Sequence, residues 1–348
     1  MQLLLKVGLA IALVVVLAGG ALGQCAMWSY DEGTENGPEV WGDLCVEYAK
    51  CSQGALQAPV DIRYVTMDYN MGPLSFDIVN PFADEGSTTG KTQMVSSPHS
   101  LRMDWAPGST VTGGPFEHKA RPATPLTACC SECAGEWRHR CIWLIVFYLS
   151  SLAFHAPSEF TFQGYRPDLS VYLYHHTSKK QVAVAVISFN TSHASSGFLD
   201  SLIPYLPINT TSSYVPLEFD LASLVAESFA EGYYSLLGSL TSPPCTEDAS
   251  YVLARRILPA SPAQLKVFAD LLHHNARPTQ PLNGRRIKAF VPFSNLDDNK
   301  LSKEAGWIFV GVVVAGIVVV GLGSYVLGKA KKNHPMAHPE EMELRAGN

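Results

Sequence analysis

The residues best suited to chemistry cluster in 152–176, LAFHAPSEFTFQGYRPDLSVYLYHH. His155 offers an imidazole, Glu159 a carboxylate four residues on, and the stretch closes on Tyr172, Tyr174, His175 and His176. Its composition predicts a strand, a turn over 164–167 and a second strand rich in Val, Tyr and Leu. Side chains two apart on a strand face the same way, so Ala153 and His155 share a face. Tyr172 can meet them there from the neighbouring strand. A catalytic zinc needs three protein ligands and one open position, where bound water has its pKa lowered to about 7. His155 can supply one ligand. The methyl of Ala153 donates nothing to a metal, and the Tyr172 phenol, with a reference pKa of about 10, is protonated at neutral pH and a weak donor.

Other segments must position this hairpin. Residues 96–114, SSPHSLRMDWAPGSTVTGG, read as strand, turn and glycine bend, with His99 near the turn; its reference pKa of about 6.5 suits proton transfer near neutral pH. Residues 181–189, QVAVAVISF, form an apolar strand suited to the floor of a site. Residues 233–247, YYSLLGSLTSPPCTE, carry Leu240, Thr241 and Cys245. Upstream stand Trp28-Ser29-Tyr30, Asn36 to Trp41 (NGPEVW) and Gln57 to Ile62 (QAPVDI). Downstream come a helix capped near Ser261, with Pro262 in its first turn, and Arg277-Pro278-Thr279-Gln280-Pro281.

Taken in this order, these motifs resemble the α-carbonic anhydrases, whose zinc hairpin runs roughly Gln-Phe-His-Phe-His, Ser-Glu-His, then Glu-Leu-His-Leu-Val-His. The likeness covers about 28–287, apart from 119–151. It implies a mixed, mainly β fold, with a large, mostly antiparallel central sheet and short peripheral helices. It also implies zinc as cofactor and carbon dioxide and bicarbonate as substrates. The family's three zinc histidines fall on Ala153, His155 and Tyr172, so only His155 is retained. Ser151 and Ser170 stand where the family has the Gln and Glu that orient the outer two histidines, and Phe160 replaces a buried His. His99 takes the proton-shuttle position. Thr241 and Glu159 match the pair that orients zinc-bound hydroxide. Leu240 and Val184 would line the carbon dioxide pocket, and Tyr174 would replace a small residue of its wall. Extracellular members pair a cysteine at Cys245 with one near the N-terminus, here Cys51, leaving Cys25 for Cys45. The resemblance therefore implies the fold together with a degraded zinc site, and a binding or adhesion role. The alternative is an active enzyme, with zinc held by His155 and by ligands from elsewhere or by histidines that the gene model lacks.

The chain has 348 residues. Residues 1–23 carry Lys6, an apolar run and small residues, which is the pattern of a secretory signal peptide. Residues 307–327, WIFVGVVVAGIVVVGLGSYVL, contain no charge. At about 1.5 Å per residue they suffice for a hydrocarbon core of about 30 Å, and Lys329, Lys331 and Lys332 follow. The expected organisation is type I single-pass: a lumenal or extracellular domain over 24–306, a span over 307–328 and a cytosolic tail over 329–348. Asn190 and Asn209 head glycosylation sequons. Segment 119–151 is atypical and holds Cys129, Cys130, Cys133 and Cys141. It reads as disulfide-bonded, as an unordered insertion, as a C-x-x-C metal cluster or as untranslated sequence. The formal net charge of −6, with no basic run except beside the span, speaks against a nucleic-acid partner.

Overall fold

Val182–Thr191 is buried along most of its length on both faces, as a continuous Val- and Ala-rich strand must be when layers cover it on either side. In the computed structural model of the chain, which describes residues 25–79, 91–97, 99–105, 107–119, 142–208, 211–216 and 220–292, this strand lies within a thirteen-stranded sheet. The sheet runs, in spatial order, Ser212–Pro216, Lys91–Ser97, Ser100–Asp104, Phe147–His155, Leu169–His176 and Val182–Thr191. Glu247–Ala254, Tyr233–Ser239, Ile287–Phe290 and Val65–Met67 complete this path, and Leu258–Ala260, Leu74–Asp77 and Thr110–Gly113 pair off it. Neighbours along this path are antiparallel except at two joins, Val182–Thr191 beside Glu247–Ala254 and Ile287–Phe290 beside Val65–Met67. The expected large, mostly antiparallel sheet is what forms.

Period-2 alternation divides the side chains between two cores. Leu152, Phe154, Val171, Leu173, Ala185 and Ile187 pack into the larger cluster on one face. Ala153, Tyr172, Val184 and Val186 point to the other face and join Phe160, Tyr251 and Leu253 in a smaller one. The helices are short and lie around the sheet. Among the described residues the longest, Pro262–Leu272, starts where expected: Ser261 and Gln264 form a reciprocal capping box with Pro262 in the first turn, which satisfies backbone donors that the helix itself cannot.

At the edges of the atypical segment, Glu117–Lys119 pairs with Ile142–Leu144 in a separate two-stranded sheet, and Phe147–His155 is one strand whose register shifts at Ser150. Phe147 and Leu149 pack into the larger cluster and Ser151, past the shift, turns to the other face, so residues 147–151 belong to the large sheet. Cys129, Cys130, Cys133 and Cys141 lie outside the described residues, as do 1–23, Asn209, 307–328 and 329–348. Among the described residues no helix is long and apolar enough to cross a membrane.

Candidate functional site

Two cross-strand rows build the site. In one, Arg102 lies opposite Ala153, Ala153 opposite Tyr172, and Tyr172 opposite Val186. In the next, Asp104, Ser151, Tyr174 and Val184 follow one another across the same four strands. On the other side of the first row, His155 faces Ser170. The predicted facing of Ala153, His155 and Tyr172 is therefore realised. Directly opposed residues sit about 4.5–5.5 Å apart at Cβ, and the small Ala153 gives the bulky Tyr172 its space.

Tyr172 is fully buried. Its ring meets His155 edge-on at 4.6 Å between centroids, with Phe160 at 6.3 Å and Tyr174 stacked at 6.2 Å. Burial pushes its phenol well above the usual tyrosine range, and the Glu159 charge adds to the shift. A phenol held neutral in this way is a poor metal ligand, since the phenolate is the form that binds. Ser170 Oγ is buried without a hydrogen-bond partner, and the buried Tyr172 hydroxyl and Glu159 Oε2 make no hydrogen bond of normal geometry, although the Glu159 carboxylate is close enough to the phenol to raise its pKa.

His155 Nδ1 donates to the Asn275 carbonyl at 2.8 Å, leaving Nε2 as the metal-capable nitrogen. That nitrogen faces Glu159 Oε2 at 3.6 Å. Glu159 Oε1 accepts from the Arg277 backbone N–H at 3.1 Å. The expected link between Thr241 and Glu159 is not made. Burial raises the Tyr174 phenol well above its ordinary range; Glu159 reinforces that shift, and the nearby Thr241 and Arg102 oppose it.

Above these groups opens a cleft of about 360 Å³, whose lining includes His99, Arg102, Ala153, His155, Tyr174, Leu240 and Thr241. Val184 does not line it. It is fully buried beneath, because Tyr174, beside it in the row, covers it. His99 stacks on Trp28 at 4.5 Å and meets Tyr30 at 6.2 Å; burial lowers its pKa, and Asp31 opposes the shift. A larger hollow of about 650 Å³ by Asp68, Arg285 and Lys288 lies elsewhere. There the Arg285 guanidinium is occupied by four backbone carbonyls and Lys288 by Asp68, so it offers little free chemistry.

The residues at the cleft do not fit a catalytic zinc. His155 is the one imidazole at the three family positions, and its neighbours there are a methyl and a buried, neutral phenol. Among the described residues, the one group that brings three metal-type ligand atoms together is Cys25, Cys45 and Glu47, and its two cysteines form a disulfide. The second disulfide joins Cys51 to Cys245, so both implied pairings are present. Asn190 is half-buried near the end of Val182–Thr191, with Oδ1 enclosed and unpartnered. The sequon therefore starts within a strand.

Sequence reasoning missed Arg102, Asn275 and the full role of Arg277. Asn275 accepts from Ala156 N–H at 3.0 Å and donates to the Phe154 carbonyl at 2.9 Å, clipping the end of the hairpin strand. Arg277, almost wholly buried, donates to Gln57 Oε1, the Ala58 carbonyl and the Cys51 carbonyl and lies over the Trp41 ring. The signal for Arg102 was its place three residues after His99 on a predicted strand.

The family model described as eukaryotic-type carbonic anhydrase matches residues 154–291. A carbonic anhydrase of Klebsiella pneumoniae is 30% identical over 266 residues, covering 75% of this chain and 89% of that one. A dioscorin of Dioscorea japonica, dioA3, is 27% identical over 272 residues, covering 76% and 86%. Among solved structures, an α-carbonic anhydrase of Photobacterium profundum superposes with a TM-score of 0.59 at 27% identity, covering 75% of this chain and all of that one.

Proposed function

The chain belongs to the α-carbonic anhydrase family, and we propose that it keeps the family's fold without its zinc chemistry, serving as a membrane-anchored binding protein. The observation that carries this reading is the packed row Ala153–Tyr172, with the Tyr172 ring edge-on to His155 at 4.6 Å. Hydration of carbon dioxide in this family depends on a metal-bound hydroxide, and this row offers neither the donors nor the space for the metal. Phe160, Tyr172 and Tyr251 pack below the cleft as a closed aromatic layer. The two disulfides support a secretory route, because they persist in oxidising compartments. The charge-free run 307–327 with its following lysines supports the anchor.

The alternative, an active enzyme, draws on what is retained: Thr241, Glu159, His155 and a His99 that lines the cleft. Zinc content and carbon dioxide hydration of the purified full-length chain separate the two. The expected result is no stoichiometric zinc and no turnover in a folded protein. One zinc per chain, with hydration that a sulfonamide inhibits, would overturn the reading.

A further inference from the structure

We propose that the cleft is an anion site anchored by Arg102, fitted to a small planar carboxylate; this rests on the zinc-free reading above. In the row that crosses the site, Arg102 is the residue directly opposite Ala153, so a guanidinium stands beside the position where the resemblance would put the first metal ligand. Its side chain lines the cleft. Its charge acts on two other lining groups: it pulls the Tyr174 phenol downward against burial, and it adds to burial in depressing His176.

Arg102 is partly engaged. Nε donates to Asp104 Oδ1 at 2.9 Å, with both side chains more than half exposed. That contact fixes the near side of the guanidinium, and a planar fork of this kind pairs naturally with the two oxygens of a carboxylate. The rest of the lining suits a flat, partly apolar body carrying polar groups. Tyr174 and Trp28 offer ring faces, Ala153 and Leu240 an apolar floor, and Ser100 and Ser242 hydroxyls at the edge. No carboxylate lines the cleft; Asp104 offsets part of the Arg102 charge from outside the lining and Glu159 lies behind His155, while Arg102 is the one lining side chain that is always cationic. A volume of about 360 Å³ lies at the small end of ligand cavities, roughly 300–1,000 Å³, which selects a single-ring molecule over a peptide or nucleotide.

The test is calorimetric titration of the full-length chain with benzoate, and with uncharged benzamide as its isostere, with and without chelator. The expected result is benzoate binding that chelator leaves unchanged, benzamide binding weaker by about tenfold or more, and a loss of about tenfold in benzoate affinity in Arg102→Gln, as for removal of one charge-assisted pair. Arg102→Lys should recover part of the loss, since a point charge replaces the fork. Thermal melting checks that the variants fold, and Arg102 is exposed enough for them to do so. Benzoate binding that Arg102→Gln leaves unchanged, or no benzoate binding at all, overturns the anion site. Benzoate binding abolished by chelator overturns the zinc-free reading instead, so the two failures are distinguishable.

Discussion

At the scale of single residues, Ala153 and Tyr172 behave as a matched pair. A phenol ring of this size fits in the row because its cross-strand partner is a methyl. Restoring one ligand alone therefore meets a packing barrier: Ala153→His should overpack the row and destabilise the fold by roughly 1–3 kcal/mol. Ala153→His combined with Tyr172→His removes the clash and leaves imidazoles at all three positions. That double variant should regain stability and acquire a melting temperature that rises with added zinc and falls with chelator. Its carbon dioxide hydration should stay low, because Ser151 and Ser170 do not orient the outer ligands, and such supporting contacts are worth roughly 10–100-fold in metal affinity. Tyr172→Phe tests the same pair from the other side. The hydroxyl it deletes is buried and has no hydrogen bond of normal geometry, its approach to Glu159 being its one polar contact, so the variant should melt close to the parent temperature, within about 1 kcal/mol. A marked loss of stability in Tyr172→Phe would mean that the hydroxyl makes a contact on which the fold depends.

At the scale of elements, Leu169–His176 carries the site on one face and drives its other face into the larger core. His175 lies on that second face, fully buried, with Nδ1 donating to the Leu173 carbonyl at 2.9 Å and Nε2 unpartnered. Burial is the main reason its pKa falls, to about 4, and the neighbouring His176 adds to it, while the hydrogen bond to Leu173 and the nearby Ala183 backbone oppose the shift. The folded state therefore resists a proton that the unfolded chain accepts near its ordinary value of about 6.5. Between these two values the unfolded state binds more protons, so stability falls as pH drops from about 6.5 toward 4 and levels below that. His175 alone sets an upper bound of roughly 3 kcal/mol on this loss, and His99 and His176, also lowered, add in the same direction. Urea midpoints at pH 7 and pH 5 should separate clearly in the parent and much less in His175→Gln. Equal separations in both would place the acid sensitivity elsewhere.

The same strand shows what the sequence could and could not disclose. Alternation made the shared face of Ala153 and His155 readable, and the run VAVAVISF announced a buried floor. Two things were not readable. The reach of Tyr174 depends on its rotamer, which covers Val184 and brings its phenol near Thr241. The supports come from far along the chain: Asn275 lies about 120 residues from the strand it clips, and Arg277 about 220 from Gln57. Local pattern carries no record of such pairings.

At the scale of the whole molecule, the site and its surroundings are tied together from both ends of the domain. Cys51–Cys245 closes a separation of 194 residues, which in the entropic account contributes up to about 5 kcal/mol. Gln57 and Glu247 bond beside it. Such covalent closure suits a domain displayed outside the cell, and the proposed anchor fits the same setting. The described part ends at residue 292, and fifteen residues later begins a charge-free run of 21, about 31 Å as a helix, matching a bilayer core. The lysines that follow would hold its far end on the cytosolic side. Expressed in cells that process secretory proteins, the full-length chain should remain in the membrane pellet after extraction at alkaline pH. A chain truncated before residue 307 should appear in the medium. If the full-length chain is released by alkali, the run 307–327 is not a span, and the zinc-free reading of the cleft is unaffected, because it rests on Ala153 and Tyr172 alone.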